Sequence, residues 1–256
     1  MDKQLSFTQT ELLVTVAAGL LEDGKSAIIG TGLPLLSALL AQKTHAPTLL
    51  LIFEAGGFGA KVPALPISVG DSRTFHQATI ASSMHDVMSA GQAGFIDYGF
   101  LGAAQIDPYG NLNSTVIGPH KLPKARLPGS GGASDIGSFA WRTILIMQQD
   151  AKRFITKLDF LTTAGYLDGP GARERAGLPS GTGPYRVITQ LGLYDFEETT
   201  KRMRLIAVHP GVKVEDALVA SSFEILVADE VAVTTSPTSE QLRIMHELDS
   251  QGLILR

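Results

Sequence analysis

A single glutamate follows an uninterrupted apolar run, and its position indicates chemistry. Leu49–Phe53 is typical of a buried strand, and Glu54 comes directly after it. Ligands of parallel sheets bind beyond the carboxyl ends of the strands. The next residues, Ala55–Gly57, carry almost no side chain, so we expect them to leave space for a substrate. Glu54 is therefore a candidate site residue, although a strand-end glutamate is by itself also typical of an ordinary solvated terminus.

Two glycine-rich segments have the composition needed to bring backbone N–H groups to a ligand. Gly30–Pro34 (GTGLP) lies at a predicted junction between a strand and a helix, where N–H groups attract anions. It lacks the third glycine of a dinucleotide fingerprint and the lysine of a P-loop. Gly129–Asp135 (GSGGASD) either presents amides to an oxyanion or forms a flexible turn. The residues alone leave both interpretations open.

Other reactive patterns are weaker. Asp168–Gly177 (DGPGARERAG) places two arginines around Glu174, which indicates either an anion clamp or a solvated surface loop. The six histidines show no HxH or HExxH spacing and there is no cysteine, so we predict no metal site. The sequence has no GxSxG motif, which argues against a serine hydrolase of the nucleophile-elbow type.

The composition is that of an ordinary globular protein, with 44% hydrophobic and 18% charged residues. The net charge of −4 is spread along the chain, so we expect no nucleic-acid partner. The apolar run Leu12–Leu21 is far shorter than the roughly 20 residues that span a bilayer, and no cationic leader precedes it. We therefore predict neither a membrane segment nor a signal peptide. Instead, Thr8 and Glu11 have the spacing of a helix capping box.

Strand-like and helix-like segments alternate in the first half of the chain, which contains the candidate residues Gly30–Pro34 and Glu54. SAIIGTG and TLLLIFEAG alternate with PLLSALLAQKTH and FHQATIASSMHDVMSAGQAG. This pattern predicts an α/β fold: an open, mainly parallel sheet with helices on both faces. YRVITQLGLYDF and RMRLIAVHPG are further strands and candidates for antiparallel neighbours. Without a linker or repeat, we predict one domain over residues 1–256.

Taken together, these segments resemble the class I CoA-transferase family, most closely its glutaconate-type B subunits. The resemblance covers nearly the whole chain. It rests on six segments in the same order: GTGLPLL, the strand ending in Glu54, SVGD (Ser68–Asp71), GAAQIDPYGNLNST (Gly102–Thr115), GSGGASD and DGPGARERAGLP. One departure is Phe53-Glu54-Ala55-Gly56, where many relatives have Ser-Glu-Asn-Gly; the glutaconate branch shares it.

The resemblance implies roles for individual residues. Glu54 occupies the position of the nucleophile, and the amides of Gly131 and Gly132 would meet the thioester oxyanion. The turn that begins at Gly30 would lie beside the pantetheine arm. The implied CoA-binding residues are Gly30, Thr31, Gly32, Gly131, Gly132 and Ala133.

The resemblance also implies a reaction and a partner. The chain would be the B-type component of a heteromeric, cytoplasmic enzyme that moves CoA between carboxylic acids through a glutamyl-CoA thioester. The acid would be a glutaconate-like dicarboxylate or a short-chain acid. The substrate would be a CoA thioester, with no permanently bound cofactor and no membrane contact. The implied site lies between two subunits, so we expect a separate A-type subunit and an A2B2 heterotetramer.

Two alternatives stay open at this point. The first is a decarboxylase of the glutaconyl-CoA type, or a hydrolase, in which Glu54 serves as a general base. The second is a non-catalytic subunit that only completes the site of its A-type partner. The faces of Gly102–Thr115 and of the loop after Glu54 are the expected contact with the partner.

Overall fold

Thr8 and Glu11 form the capping box that their spacing predicts. In the computed structural model, which describes residues 6–255, helix α1 (Gln9–Ala18) begins directly after Thr8. The Glu11 N–H donates to Thr8 Oγ1 at 3.2 Å, and the Thr8 N–H donates to the Glu11 carboxylate at 2.6 Å. These two bonds satisfy donors that a helix start leaves unpaired. No helix among the described residues is long and apolar enough to cross a membrane.

The remaining elements follow in chain order. They are β1 (Ser26–Ile28), α2 (Leu33–Thr44), β2 (Leu50–Ile52), β3 (Gly57–Phe58), β4 (Ile80–Ala81), α3 (Met84–Gln92), β5 (Tyr98–Leu101), β6 (Gln105–Ile106), β7 (Leu112–Asn113), β8 (Val116–Ile117), β9 (Ala125–Arg126), α4 (Ala133–Phe139), β10 (Arg142–Ile146), α5 (Ala172–Arg175), β11 (Pro184–Ile188), β12 (Gly192–Phe196), β13 (Met203–Val208), α6 (Val214–Val219), β14 (Leu226–Val233) and α7 (Ser239–Leu248). A 3₁₀ turn covers Ser72–Phe75.

The chain divides into two compact units. The first combines the chain up to Phe100 with the segment from Thr235 onward, and the second is Leu101–Thr234. The single domain over residues 1–256 stays a prediction. In the first unit the strand order is β5-β1-β2-β3-β4. Strand β1 pairs in parallel with β2 and β5, and β3 and β4 add antiparallel at the edge.

In the second unit the strand order is β14-β13-β12-β11-β10. Strands β10 and β11 are parallel, as are β13 and β14, while β11, β12 and β13 form an antiparallel meander. The antiparallel pairing expected for RMRLIAVHPG is therefore confirmed. The α/β class and the open sheet are confirmed as well, with the parallel pairs supplemented by antiparallel strands.

The core of the second unit is built around aromatic rings in contact. Phe154 is fully buried, and its ring centroid lies 6.2 Å from that of Tyr194 and 6.1 Å from that of Phe223. Such pairs contribute about 0.5–1.5 kcal/mol beyond the area that they bury. Apolar residues of β10 to β13 complete this core. The loops that leave these strands are therefore attached to a rigid base.

Candidate functional site

Glu54 lies in a tight turn directly beyond the end of β2. The Gly56 N–H donates to the Phe53 carbonyl at 2.9 Å, so Glu54 and Ala55 are the central residues of a β-turn. The Phe53 N–H donates to the Gly57 carbonyl at 2.8 Å, which closes the turn from the other side. Phe53 is fully buried and Glu54 is half-buried. The backbone of the glutamate is therefore fixed while its carboxylate meets solvent.

The Glu54 carboxylate has no partner within residues 6–255. It accepts no hydrogen bond and forms no ion pair there. A carboxylate whose lone pairs are not engaged by the protein keeps them available for attack on an electrophile or for taking up a proton. The predicted placement of this residue at a strand end is confirmed, and its chemical role stays a prediction.

The two glycines after Glu54 are required by backbone packing. A Cβ on Gly56 would lie 2.2 Å from the Ser82 carbonyl oxygen, and a Cβ on Gly57 would lie 2.1 Å from that of Thr74. The Ser82 N–H also donates to the Gly56 carbonyl at 3.0 Å. The expectation that these glycines clear space for a substrate is therefore wrong. They let two neighbouring backbone segments brace the turn.

The SVGD segment supports this brace. Thr74 Oγ1 donates to the Asp71 carbonyl at 2.7 Å and to the Val69 carbonyl at 3.2 Å. Asp71 in turn accepts the Arg73 N–H at 3.0 Å. Hydrogen bonds from the side chain and backbone of Arg73 hold the pKa of Asp71 well below its usual range. The segment thus fixes the Thr74 carbonyl that packs on Gly57.

The first glycine segment leaves the sheet at the same edge as Glu54. Ile28 of β1 lies opposite Ile52 of the parallel strand β2, and the Ile29 N–H donates to the Ile52 carbonyl at 2.9 Å. Gly30 and Glu54 each come two residues after this matched pair. The structure therefore brings the two predicted site segments of the first unit together.

The turn at Gly30 keeps its N–H groups open. No acceptor among the described residues takes the amides of Gly30, Thr31 and Gly32. A Cβ on Gly30 or Gly32 would meet no atom of the described chain within 4 Å. Gly32 has a φ of 81° and offers helix α2 no side-chain cap. Free N–H groups before a helix of 12 residues are a favourable site for a polar or anionic ligand.

The GSGGASD loop of the second unit presents two further unpaired amides. Gly131, with a φ of 48°, is exposed, and Gly132 directly precedes helix α4. Neither N–H has an acceptor in the part of the chain that the structure describes. The Ala133 N–H, by contrast, donates to the Ser130 carbonyl at 2.9 Å. Gly131 and Gly132 therefore keep a donor for a ligand, whereas the amide of Ala133 is engaged.

The start of this loop is held by Ser114, a residue that sequence analysis did not single out. The Gly129 N–H donates to the Ser114 carbonyl and Ser114 Oγ donates to the Gly129 carbonyl, both at 2.9 Å. Ser114 belongs to the GAAQIDPYGNLNST segment, in which Gln105, Ile106 and Gly110–Asn113 are buried. Those buried residues have no surface to offer a partner, so the expected partner contact stays a prediction for the exposed remainder.

Asn111 ties the same segment to the loop at Gly165. Its Oδ1 accepts the N–H groups of Gly165 at 2.8 Å and Leu167 at 3.0 Å, while its Nδ2 donates to Asp107 at 2.7 Å. Burial raises the pKa of Asp107 to about 6, against hydrogen bonds from Asn111 and from the Tyr109 N–H that favour the charged form. The segment is an internal scaffold with a buried carboxylate at its centre.

Neither interpretation of the arginine-rich segment fits Arg173. This residue is only 2% exposed, and its guanidinium donates to carbonyl and hydroxyl oxygens of the protein. Its Nη1 and Nη2 are engaged by the protein, and its Nε is buried without an acceptor among the described residues. Arg173 therefore presents no N–H group as an anion clamp, and it is not a solvated loop residue. Arg175 is exposed and donates to the Pro170 carbonyl. Among residues 6–255 no cluster of three or more His, Cys, Asp or Glu side chains could hold a metal ion.

Comparisons with known proteins give a consistent result. The family model for coenzyme A transferase matches residues 10–220. The chain is 38% identical over 255 residues to the B subunit of glutaconate CoA-transferase from Acidaminococcus fermentans, with 95% of this chain and 93% of the relative covered. It is 36% identical over 247 residues to the B subunit of 3-oxoadipate CoA-transferase from Pseudomonas knackmussii, with 96% and 95% covered. The crystal structure of glutaconate coenzyme A-transferase from A. fermentans superposes with a TM-score of 0.93 at 35% identity, covering 98% of each chain.

An alanine at position 57 tests the close packing of Gly57 on the Thr74 carbonyl, which supports the turn at Glu54. We expect Gly57→Ala to lower the free energy of unfolding by about 1–3 kcal/mol, because the added carbon overlaps the Thr74 carbonyl. Gly70→Ala is the matched control, since the nearest atom to its Cβ would be Ser68 Oγ at 4.0 Å. Urea unfolding of both variants measures the difference. Equal stability of the two would contradict the packing argument.

Asp107 gives the stability a defined pH dependence. Its pKa lies near 6 in the folded chain and at 3.8 ordinarily, so the folded state binds the proton more tightly. The contribution of Asp107 to the free energy of unfolding therefore falls by about 3 kcal/mol as the pH rises from roughly 4 to 6, and stays constant above that. Asp107→Asn removes this dependence. Urea unfolding of both proteins between pH 4 and 7 should give curves that diverge; parallel curves would refute the assignment.

Proposed function

This chain belongs to the coenzyme A transferase family, as a subunit of the B type, and on that premise we propose that Glu54 is the nucleophile of its reaction. One observation carries the proposal: a half-buried carboxylate without a partner among the described residues stands on a braced turn at the carboxyl end of a parallel strand. A solvated surface carboxylate without a chemical role would not need such a rigid support. A nucleophile does, because attack requires a defined approach to the carbonyl carbon.

The proposed reaction proceeds in two exchanges. A Glu54 oxygen attacks the thioester carbonyl and the CoA thiolate leaves, which gives a mixed anhydride. The thiolate then attacks the side-chain carbonyl of Glu54 and expels the first acid, leaving a glutamyl-CoA thioester. A second acid reverses both steps and departs as its CoA thioester. The first exchange is uphill because a thiolate (pKa about 8.5) is a poorer leaving group than a carboxylate (pKa about 4.3).

The unpaired amides supply what this chemistry needs. We assign the N–H groups of Gly131 and Gly132 to the oxyanion of the tetrahedral intermediate, since neither has an acceptor in the described chain. We assign the turn of Gly30, Thr31 and Gly32 to the polar groups of the pantetheine arm. Ala133 contacts the thioester through its side chain only, because its N–H is engaged. Binding energy from the long CoA tail then offsets the uphill first step.

The acyl group is proposed to be a dicarboxylate. The relatives at 38% and 36% identity carry the names glutaconate and 3-oxoadipate CoA-transferase, and both acids are dicarboxylic. The alternative, decarboxylation or hydrolysis of a CoA thioester with Glu54 as a general base, predicts different products. A transferase needs an acceptor acid and makes one new thioester for each one consumed. A decarboxylase releases carbon dioxide without any acceptor acid. A hydrolase consumes water, and it either releases free CoA or opens a ring of an acyl group that stays attached to CoA.

Replacing Glu54 tests its role as nucleophile. Glu54→Gln keeps the size of the side chain and removes the anionic oxygen, so we expect the acceptor-dependent formation of new acyl-CoA to disappear while assembly is retained. Glu54→Asp withdraws the carboxylate by about one methylene and should slow turnover strongly. Glu174→Gln, at an exposed position, is the control. Chromatography of the CoA esters follows the reaction, and near-normal turnover by Glu54→Gln would overturn the proposal.

The partner is proposed to be an A-type subunit in a cytoplasmic A2B2 assembly. The relatives named as B subunits support the A-type partner, and the stoichiometry and location are our proposal. We expect the purified chain to be inactive alone and to become active when mixed or co-expressed with that partner. An obligate interface of this kind buries on the order of 2,000 Å² or more. Light scattering after size-exclusion chromatography gives the stoichiometry. Full activity of the chain on its own would contradict a shared site.

A further inference from the structure

We propose that Arg173 is a positioning residue, which sets the geometry of the Gly129–Asp135 loop by acting through helix α4. The inference rests on the proposed function, in which the amides of Gly131 and Gly132 receive the oxyanion. Arg173 itself is buried and offers the substrate no accessible N–H group. Its effect on the reaction is therefore transmitted by the backbone that it holds.

The guanidinium binds the end of α4 opposite to the loop. Arg173 Nη2 donates to the carbonyls of Gly137 at 3.1 Å and Ser138 at 3.2 Å, in the last turn of the helix. The last carbonyls of a helix receive no hydrogen bond from within the helix, and a positive charge near them is favourable. The helix has seven residues and so spans only about 10 Å. A displacement of its last turn therefore reaches Gly132, which directly precedes its first residue.

The second terminal nitrogen of the guanidinium, Nη1, connects α4 to a fixed part of the unit. Arg173 Nη1 donates to the carbonyls of Ala164 at 3.0 Å and Gly165 at 2.8 Å. Gly165 is in turn held by Asn111, whose Oδ1 accepts its N–H at 2.8 Å. Helix α4 packs closely on this segment, because a Cβ on Gly137 would lie 2.3 Å from Thr163 Cγ2. Arg173 thus links the helix to a segment that has its own support.

Only an arginine meets this geometry. The guanidinium is a planar fork whose nitrogens donate in several fixed directions, whereas the lysine ammonium is a compact point charge. Arg173 Nη2 also donates to Thr182 Oγ1 at 2.8 Å, which brings a third segment to the same group. No carboxylate among the described residues pairs with Arg173. Burial of an unpaired charge is costly, and here the oxygen atoms of three segments compensate for it.

The loop is consequently held at both ends. Ser114 makes two hydrogen bonds to Gly129 at its start, and Arg173 holds the helix that follows its end. Gly131 lies between these supports with a φ of 48°, exposed, and without an acceptor for its N–H among the described residues. A shift of about 1 Å in a catalytic donor can cost about 100-fold in rate. Loosening the second support should therefore affect turnover more than binding.

Kinetics of the enzyme assembled with its A-type partner test the inference. We expect Arg173→Lys to assemble and to lower kcat by about 10- to 100-fold, with KM for the acyl-CoA changed less than about threefold. Arg175→Lys is the matched control from the same segment and should behave as wild type, because Arg175 is exposed and bonds only locally. Unchanged kcat for Arg173→Lys, or a rise in KM alone, would overturn the inference.

Two further variants separate this inference from the proposed function. If Gly131→Val leaves kcat unchanged, the oxyanion role of the loop is wrong; if it lowers kcat while Arg173→Lys does not, only the positioning role is wrong. In the double variant Gly131→Val with Arg173→Lys, the two losses should be less than multiplicative because both act on one loop. Multiplicative losses would contradict the link.

A conservative variant covers the case in which Arg173→Lys does not assemble. Thr182→Val removes one acceptor of the guanidinium and leaves Arg173 in place. We expect it to assemble and to lower kcat several-fold at unchanged KM. Wild-type kcat in Thr182→Val would then count against the positioning role.

Discussion

A backbone N–H can serve a substrate only if the fold gives it no acceptor of its own, and the protein depends on this constraint. Such a segment cannot be held by the usual ladders of a helix or a sheet, so its neighbours must hold it. Ser114 hydrogen-bonds Gly129 at the start of the loop, and Arg173 hydrogen-bonds the last turn of helix α4, which follows the loop. The turn that carries Glu54 follows the same rule. The backbone at Ser82 packs against this turn, and the carboxylate has no partner among residues 6–255.

Glycine has two opposite uses in this chain. At Gly30 and Gly131 a Cβ would meet no atom of residues 6–255 within 4 Å, so a ligand has room to approach the main chain. At Gly56 and Gly57 that place is filled by the carbonyls of neighbouring segments, and glycine is needed for close packing. Side chains are missing in both cases, but the reason differs. We therefore expect ligand contacts at the open glycines, whereas the packed glycines make the turn rigid.

Local patterns were sufficient to predict several features of the fold. The capping box of Thr8, the strand before Glu54 and the glycine turn after β1 depend on neighbours in sequence, whose periodicity and spacing are visible. The contacts of Arg173 were not predictable in this way, because its acceptors include Gly137, 36 residues away. The packing of Gly57 on Thr74 is equally non-local. The interpretations of Gly56, Gly57 and Arg173 failed because tertiary contacts decide what a glycine or an arginine does at these positions.

A covalent glutamyl-CoA thioester on Glu54 is the central claim of this account, and chemical trapping tests it most directly. The assembled enzyme is exposed to its acyl-CoA without an acceptor acid, reduced with borohydride, digested and examined by mass spectrometry. We expect the Glu54 side-chain carboxyl to be reduced to an alcohol, and only when acyl-CoA was present. An enzyme that turns over its substrate while this peptide stays unmodified would contradict the covalent route.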